Sequence, residues 1–178
     1  MRKVIAGFAV SLDGYMEGPN GEYDWMLEKP APEFDFVTSA QNFDTFLIGR
    51  KTYEKLISFG EPPFKGYKNY VFSRTLQSTA PGYALISENV EEMIKTLKIQ
   101  SGKDIAIYGG ADLLASLLNL KVVDEISMTL VPILLGAGKP LVGILNDREW
   151  LDLKDVKTYS NGNIQLTYEV LSASSIYS

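Results

Sequence analysis

Gly109 and Gly110 separate the apolar run Ile105-Ala106-Ile107-Tyr108 from the helical pattern Leu113, Leu114, Leu117 and Leu118. Without a side chain the backbone there can take a positive φ and admit a ligand, and a helix start offers unpaired N–H groups and the positive end of a dipole. Such a junction is an anion site suited to a diphosphate. Two glycines that only turn the chain and pack the helix on its strand would look the same. The pattern recurs. Thr45-Phe46-Leu47-Ile48 runs into Gly49-Arg50-Lys51-Thr52, where a guanidinium, a hydroxyl and free N–H groups could meet a phosphate, and Asn69-Tyr70-Val71-Phe72 runs into Ser73-Arg74-Thr75. Taken alone, each arginine equally suits a solvated surface charge.

What the chain lacks narrows the chemistry. With no Cys and no His, thiolate nucleophiles, disulfides, sulfur- or imidazole-bound metals and Ser-His-Asp triads are all excluded, and no metal site is expected. Carboxylate and tyrosine acid-base chemistry remains, as do reactions whose hard step belongs to an organic cofactor. A net charge of -5 argues against nucleic acid as a partner, which would require a basic face. No apolar stretch has the length of a membrane span, and Met1-Arg2-Lys3 with the short run after it reads as a first strand rather than a signal peptide, so a cytoplasmic location is expected.

The elements that must position these residues follow from periodicity. Val4-Ile5-Ala6-Gly7-Phe8-Ala9-Val10 is nearly all apolar, as a strand covered on both faces must be, and residues 11–25 form a long loop broken by Gly14, Gly18, Pro19 and Gly21. Pro30 and Pro32 open a helix whose buried stripe is Phe36, Ala40 and Phe43. Glu33 falls on the same side, although an acid in a first helical turn is also favourable for dipole reasons alone. A helix over about residues 53–57 follows Thr52, and Tyr83-Ala84-Leu85-Ile86 is a strand. Asn89 and Glu92 have the spacing of a capping box before the stripe Val90, Met93, Ile94 and Leu97. Residues 125–131 form a strand, residues 135–140 a Gly-rich loop, and residues 151–170 two strands joined at Ser160-Asn161-Gly162-Asn163, a hairpin signal. The order predicts an α/β fold with a mostly parallel central sheet, helices on both faces and an antiparallel C-terminal strand. Residues 1–170 make a single domain and 171–178 a tail. In such sheets ligands bind at the carboxyl ends of the strands, where the Gly49, Ser73 and Gly109 loops all leave.

Four segments, in this order, carry a resemblance: Ala9-Val10-Ser11-Leu12-Asp13-Gly14-Tyr15, Leu47-Ile48-Gly49-Arg50-Lys51-Thr52-Tyr53-Glu54, Val71-Phe72-Ser73-Arg74 and Ile105-Ala106-Ile107-Tyr108-Gly109-Gly110. Together they resemble the dihydrofolate reductase superfamily, in the bacterial branch shared with the reductase domain of riboflavin biosynthesis. The resemblance implies a three-layer dihydrofolate reductase-like fold and NADPH as cofactor. By it, Tyr108, Gly109 and Gly110 lie at the diphosphate, Gly49, Arg50, Lys51 and Thr52 serve the phosphates, and Ser73 and Arg74 lie near the adenosine ribose. Paired guanidinium groups from Arg50 and Arg74 would favour NADPH over NADH through its extra phosphate. The resemblance also implies that residues 11–25 close over the nicotinamide, that Glu33 binds the substrate ring, and that Thr129 supports it.

Two departures qualify it. Residues 59–67 and 23–32 do not match folate-reducing members closely, and the riboflavin-type substrate signature is absent after Ile48. Three functions are therefore carried forward. The first is an NADPH-dependent reductase passing hydride to a C=N or C=O bond of a small heterocycle such as dihydrofolate. The second is the 5-amino-6-(5-phosphoribosylamino)uracil reductase of riboflavin biosynthesis, with Lys139 available to a substrate phosphate. The third is a non-catalytic dinucleotide-binding module. The apolar content of residues 130–145 suits a homodimer as well as a core.

Overall fold

The computed structural model describes residues 1–26, 28–29, 40–60 and 66–172. An eight-stranded sheet organises them, built from β1 (Val4–Ser11), β3 (Phe43–Gly49), β4 (Lys68–Phe72), β5 (Tyr83–Ile86), β6 (Asp104–Ile107), β7 (Glu125–Val131), β9 (Leu151–Thr158) and β10 (Ile164–Val170). The spatial order is β5-β4-β3-β6-β1-β7-β10-β9, with β1 central between β6 and β7. All pairings from β5 to β7 are parallel, and the β9–β10 hairpin adds antiparallel to β7. The expected α/β architecture is therefore present, with its antiparallel C-terminal end.

Three α-helices are formed among the described residues: α1 (Arg50–Ser58), α2 (Val90–Ile99) and α3 (Ala111–Asn119). They divide between the sheet faces. On one face Ile94 and Leu97 of α2 and Leu113, Leu114, Leu117 and Leu118 of α3 pack on Val4, Ala6, Leu47, Ile105 and Ile107. On the other, Tyr53 of α1 and Ala40 pack with Phe46, Ile48, Val71 and Ala106. Because β3 and β6 are packed on both faces, Phe46–Ile48 and Ile105–Ile107 are apolar without alternation, whereas β7 alternates. Among the described residues, no helix is long and apolar enough to cross a membrane.

At the amino ends of the strands, polar staples fix the register. The Arg2 guanidinium, 4% exposed, donates to the Asp44 carboxylate, to the Thr45 hydroxyl at 2.7 Å and to the Lys103 carbonyl. Asp124 accepts from the Val4 N–H at 2.7 Å and the Lys98 ammonium at 2.7 Å. Burial pushes the Asp44 carboxyl up, but the Thr45 hydroxyl, the Lys103 N–H and the Arg2 charge together leave it below the ordinary aspartate range.

Several expectations are corrected. Phe43 does not end the first helix; it begins β3, where it lies against Phe46. The helix after Gly49 starts at Arg50 rather than near Tyr53, so Arg50, Lys51 and Thr52 form its first turn. Asn89 forms no capping box: it adopts a left-handed conformation (φ 51°, ψ 35°), which asparagine tolerates, and its side chain caps nothing. The two loops at residues 11–25 and 135–140 are not structureless. They contribute β2 (Tyr15–Glu17) and β8 (Lys139–Pro140), which pair antiparallel as a small second sheet. Phe36 and Glu33 lie outside the described residues.

Candidate functional site

Three chain reversals meet at the carboxyl rim of the sheet. Gly49, at the end of β3, donates its N–H to the Gly109 carbonyl at 2.8 Å, and Tyr108 donates to the Leu47 carbonyl at 2.9 Å. A methyl group on Gly49 would stand 3.2 Å from the Gly109 carbonyl oxygen, 3.3 Å from the Gly110 nitrogen and 3.5 Å from the Leu113 Cβ, so the approach leaves little room for a side chain. Gly109 has φ +108°, and the Gly109–Gly110 peptide is cis. Thr52 closes the junction, its hydroxyl 3.4 Å from where a Gly109 Cβ would lie and 3.7 Å from that of Gly110.

The result is that α1 and α3 start side by side. Gly49 and Gly110 are their N-caps, both extended and neither bearing a side-chain cap, so the first-turn N–H groups of both helices are left for an outside acceptor. They open into a cleft of about 630 Å³. Its walls include Gly49, Arg50, Lys51, Thr52, Ser73, Arg74 and Gly110. Phe72, Ile86, Val90, Leu117 and Leu120 add apolar surface to its lining.

Charge in the cleft runs against that of the chain. Arg50, Lys51, Lys55, Arg74 and Lys139 line it, against the carboxylates of Glu17 and Asp112, in a molecule of net charge -5. The cations are not equivalent. Arg50 is engaged with Glu54 at 2.7 Å, one helical turn on, and Lys55 lies 3.7 Å from Glu17. Lys51 and Arg74 are exposed and have no ion pair among the described residues. Ser73 is buried, its hydroxyl accepting the Thr75 N–H at 3.2 Å and the Leu76 N–H at 3.1 Å, which fixes the turn that presents Arg74.

Of the residues singled out in the sequence, the cleft thus unites Gly49, Arg50, Lys51, Thr52, Ser73, Arg74 and Gly110. Gly109 stands behind Gly49 rather than on the wall. Tyr108 is outside the wall too. Its ring meets Phe46 edge-on at 6.3 Å, and burial, with a lesser contribution from Tyr23, pushes its phenol above the ordinary tyrosine range. Thr129, on β7 between Ala9 and Gln165, is not part of the cleft wall. Glu33 lies outside the described residues. Glu17, Lys55 and Asp112 were not foreseen; Lys55 was discoverable, since it follows Lys51 by four residues and shares its helix face.

Comparison with known proteins agrees with this geometry. The model of the RibD C-terminal domain matches residues 2–165. YyaP of Bacillus subtilis is 36% identical over 179 residues, an alignment covering 94% of each chain. Among solved structures, a protein from Shewanella sp. PV-4 assigned to riboflavin biosynthesis superposes with a TM-score of 0.84 at 28% identity, covering 96% of this chain and 99% of that one. Dihydrofolate reductase from Enterococcus faecalis, complexed with NADP(H), superposes with a TM-score of 0.66 at 17% identity, over 96% and 97% of the two chains. That last likeness is one of fold.

Proposed function

Given that the chain belongs to the RibD C-terminal domain family, within the dihydrofolate reductase superfamily, we propose that it is an NADPH-dependent reductase. Its substrate would be a small heterocycle with a reducible C=N or C=O bond. One observation carries the reading: two uncapped helix N-termini and a surplus of cations converge on one cleft that is also lined by apolar side chains.

This donor set fits a dinucleotide diphosphate. Gly49 and Gly110 leave room for it, the first-turn N–H groups of α1 and α3 would donate to its oxygens, and the Thr52 hydroxyl and Lys51 ammonium would add to them. Arg74, which has no ion pair among the described residues and is held out by the Ser73 turn, would take a 2′-phosphate, and Phe72, Ile86 and Val90 would receive the adenine. A reduced nicotinamide, once bound, supplies hydride. The residues of the chain hold and orient it and, through residues 11–25, keep water out. Glu33 would bind the substrate ring and Thr129 would support it.

Between acceptors, the family and the 28% identity to the Shewanella protein weigh toward the phosphoribosylaminouracil of riboflavin biosynthesis. Dihydrofolate is supported by fold alone. The apolar Leu151, Leu153 and Val156 left exposed on β9, with Ile144 at 89%, support assembly as a homodimer, which sedimentation analysis tests.

Titration with NADPH and NADH, followed by loss of the reduced-nicotinamide absorbance with each acceptor, is the deciding experiment. Arg74→Ala removes an exposed charge-assisted contact of about 1–2 kcal/mol, so NADPH affinity falls by roughly 5–30-fold while NADH affinity is unchanged. Equal losses for both nucleotides would defeat the 2′-phosphate assignment. Tight NADPH binding with turnover of no acceptor would favour the dinucleotide-binding module.

A further inference from the structure

Residues 12–17 and 133–140 form one arm that brings Glu17 and Lys139 to the cleft wall. The Asp13 carboxylate accepts the Leu135 N–H at 3.1 Å, the Gly136 N–H at 2.7 Å and the Ser11 hydroxyl at 2.6 Å. Leu12 donates to the Ile133 carbonyl at 2.8 Å, and Leu141 to the Gly14 carbonyl at 3.1 Å. Between them runs the β2–β8 ladder, packed so closely that a Cβ on Gly138 would fall 2.0 Å from the Glu17 carbonyl oxygen. Neither half can therefore move far without the other.

This arm is tied to both helices that border the cleft. Glu17 reaches Lys55 of α1 at 3.7 Å, and Lys139 reaches the Asp112 carboxylate in the first turn of α3 at 3.6 Å. The Lys139 ammonium also stands 3.6 Å from where a Gly110 Cβ would lie, in front of the N-cap of α3. Asp112 is the weaker of its two available partners. Its side chain is 72% exposed, so the pair is well screened, whereas an anion seated on the α3 N–H groups would lie close to the half-buried ammonium.

Resting on the dinucleotide reading, we propose that Lys139 is a diphosphate ligand delivered by this arm. It exchanges the Asp112 carboxylate for the diphosphate of the nucleotide, so that holding the nucleotide and seating the arm are one event. Lys139 thus serves the cofactor rather than a phosphate on the substrate.

The test compares three probes by calorimetric titration: NADPH, inorganic pyrophosphate and adenosine 2′-monophosphate, which lacks the diphosphate. Lys139→Met weakens NADPH and pyrophosphate by about tenfold and leaves adenosine 2′-monophosphate unchanged; Lys139→Arg restores most of the loss. Asp112→Asn removes the competing carboxylate and tightens NADPH roughly two- to fivefold, a gain that misfolding cannot mimic. Unchanged NADPH affinity in Lys139→Met, or an equal loss for adenosine 2′-monophosphate, refutes the assignment of Lys139 alone. A wild-type chain that binds none of the three refutes the dinucleotide reading on which it rests.

Discussion

Gly49→Ala probes the contact between β3 and the Gly109–Gly110 turn directly. The backbone at Gly49 has φ -74° and ψ 153°, which alanine adopts freely, so the substitution carries no conformational penalty. Restricting the unfolded chain would by itself stabilise the protein by about 0.4–1 kcal/mol. Opposing this, the added methyl meets two backbone atoms, the Gly109 carbonyl oxygen at 3.2 Å and the Gly110 nitrogen at 3.3 Å. Backbone pinned by β6 and α3 yields less readily than a side chain, and overpacking of this kind costs about 1–3 kcal/mol. The net is a destabilisation centred on about 1.3 kcal/mol, or roughly 3–5 °C in Tm for a domain of this size. The displacement falls on the N-cap of α3, so NADPH affinity drops as well. Thermal unfolding by circular dichroism and an NADPH fluorescence titration read the two effects. A Gly49→Ala protein with unchanged or raised Tm and wild-type affinity would show that the approach is not tight, and the convergent-rim reading would fail with it.

Three further outcomes follow from the same geometry. Arg2→Ala removes a buried guanidinium and leaves Asp44 with only the Thr45 hydroxyl and Lys103 N–H; because Asp44 keeps 32% exposure, the loss is about 2–3 kcal/mol, roughly 4–12 °C in Tm, checked by thermal melting. The Ser11 hydroxyl and then the Gly136 and Leu135 N–H groups together outweigh desolvation and hold the Asp13 carboxyl below its ordinary value of 3.8. A depressed acid contributes stability above that value and loses it as pH falls through the folded one, so the Gly136 and Leu135 amide resonances should shift with a midpoint below 3.8; a midpoint at or above it contradicts the Asp13 contacts. Gly138→Ala adds a Cβ 2.0 Å from the Glu17 carbonyl at φ +153°, which must part β2 from β8; NADPH affinity should fall to about the Lys139→Met level while Tm, set by the main sheet, changes by less than about 4 °C.

The middle of the sheet was legible because β3 and β6 are packed on both faces. Runs such as Phe46-Leu47-Ile48 and Ile105-Ala106-Ile107 are apolar without interruption, and Asn161-Gly162 marks the turn between β9 and β10, with Gly162 at φ +88°. The glycine-lined half of the cleft was legible for a related reason: a strand, a glycine and a helix in succession leave few alternatives for the backbone. Short elements were not. β2 and β8 have three and two residues, too few for any period, and only their mutual contact gives them structure. Asn89 looked like a cap because the residue type fits, yet its left-handed backbone is set by the turn that precedes α2. Phe43 fits both a helical stripe and a strand start, and pairing with β6 decides between them. Lys139 was visible as a cation in a Gly-rich loop. Its position against α3 depends on Asp13, more than a hundred residues earlier, through contacts that no local pattern encodes.

The placement of β1 between β6 and β7 also constrains how the molecule can be made. Val4 pairs with Ile105 and Ile5 with Glu125, so the earliest strand to leave the ribosome lies flanked by segments synthesised more than a hundred residues afterwards. At about 5–20 residues per second, an apolar stretch waits roughly 6–26 s for its second neighbour. A nascent chain halted short of β7 has no centre to its sheet, and genetic fragments that stop there should be insoluble rather than partly active.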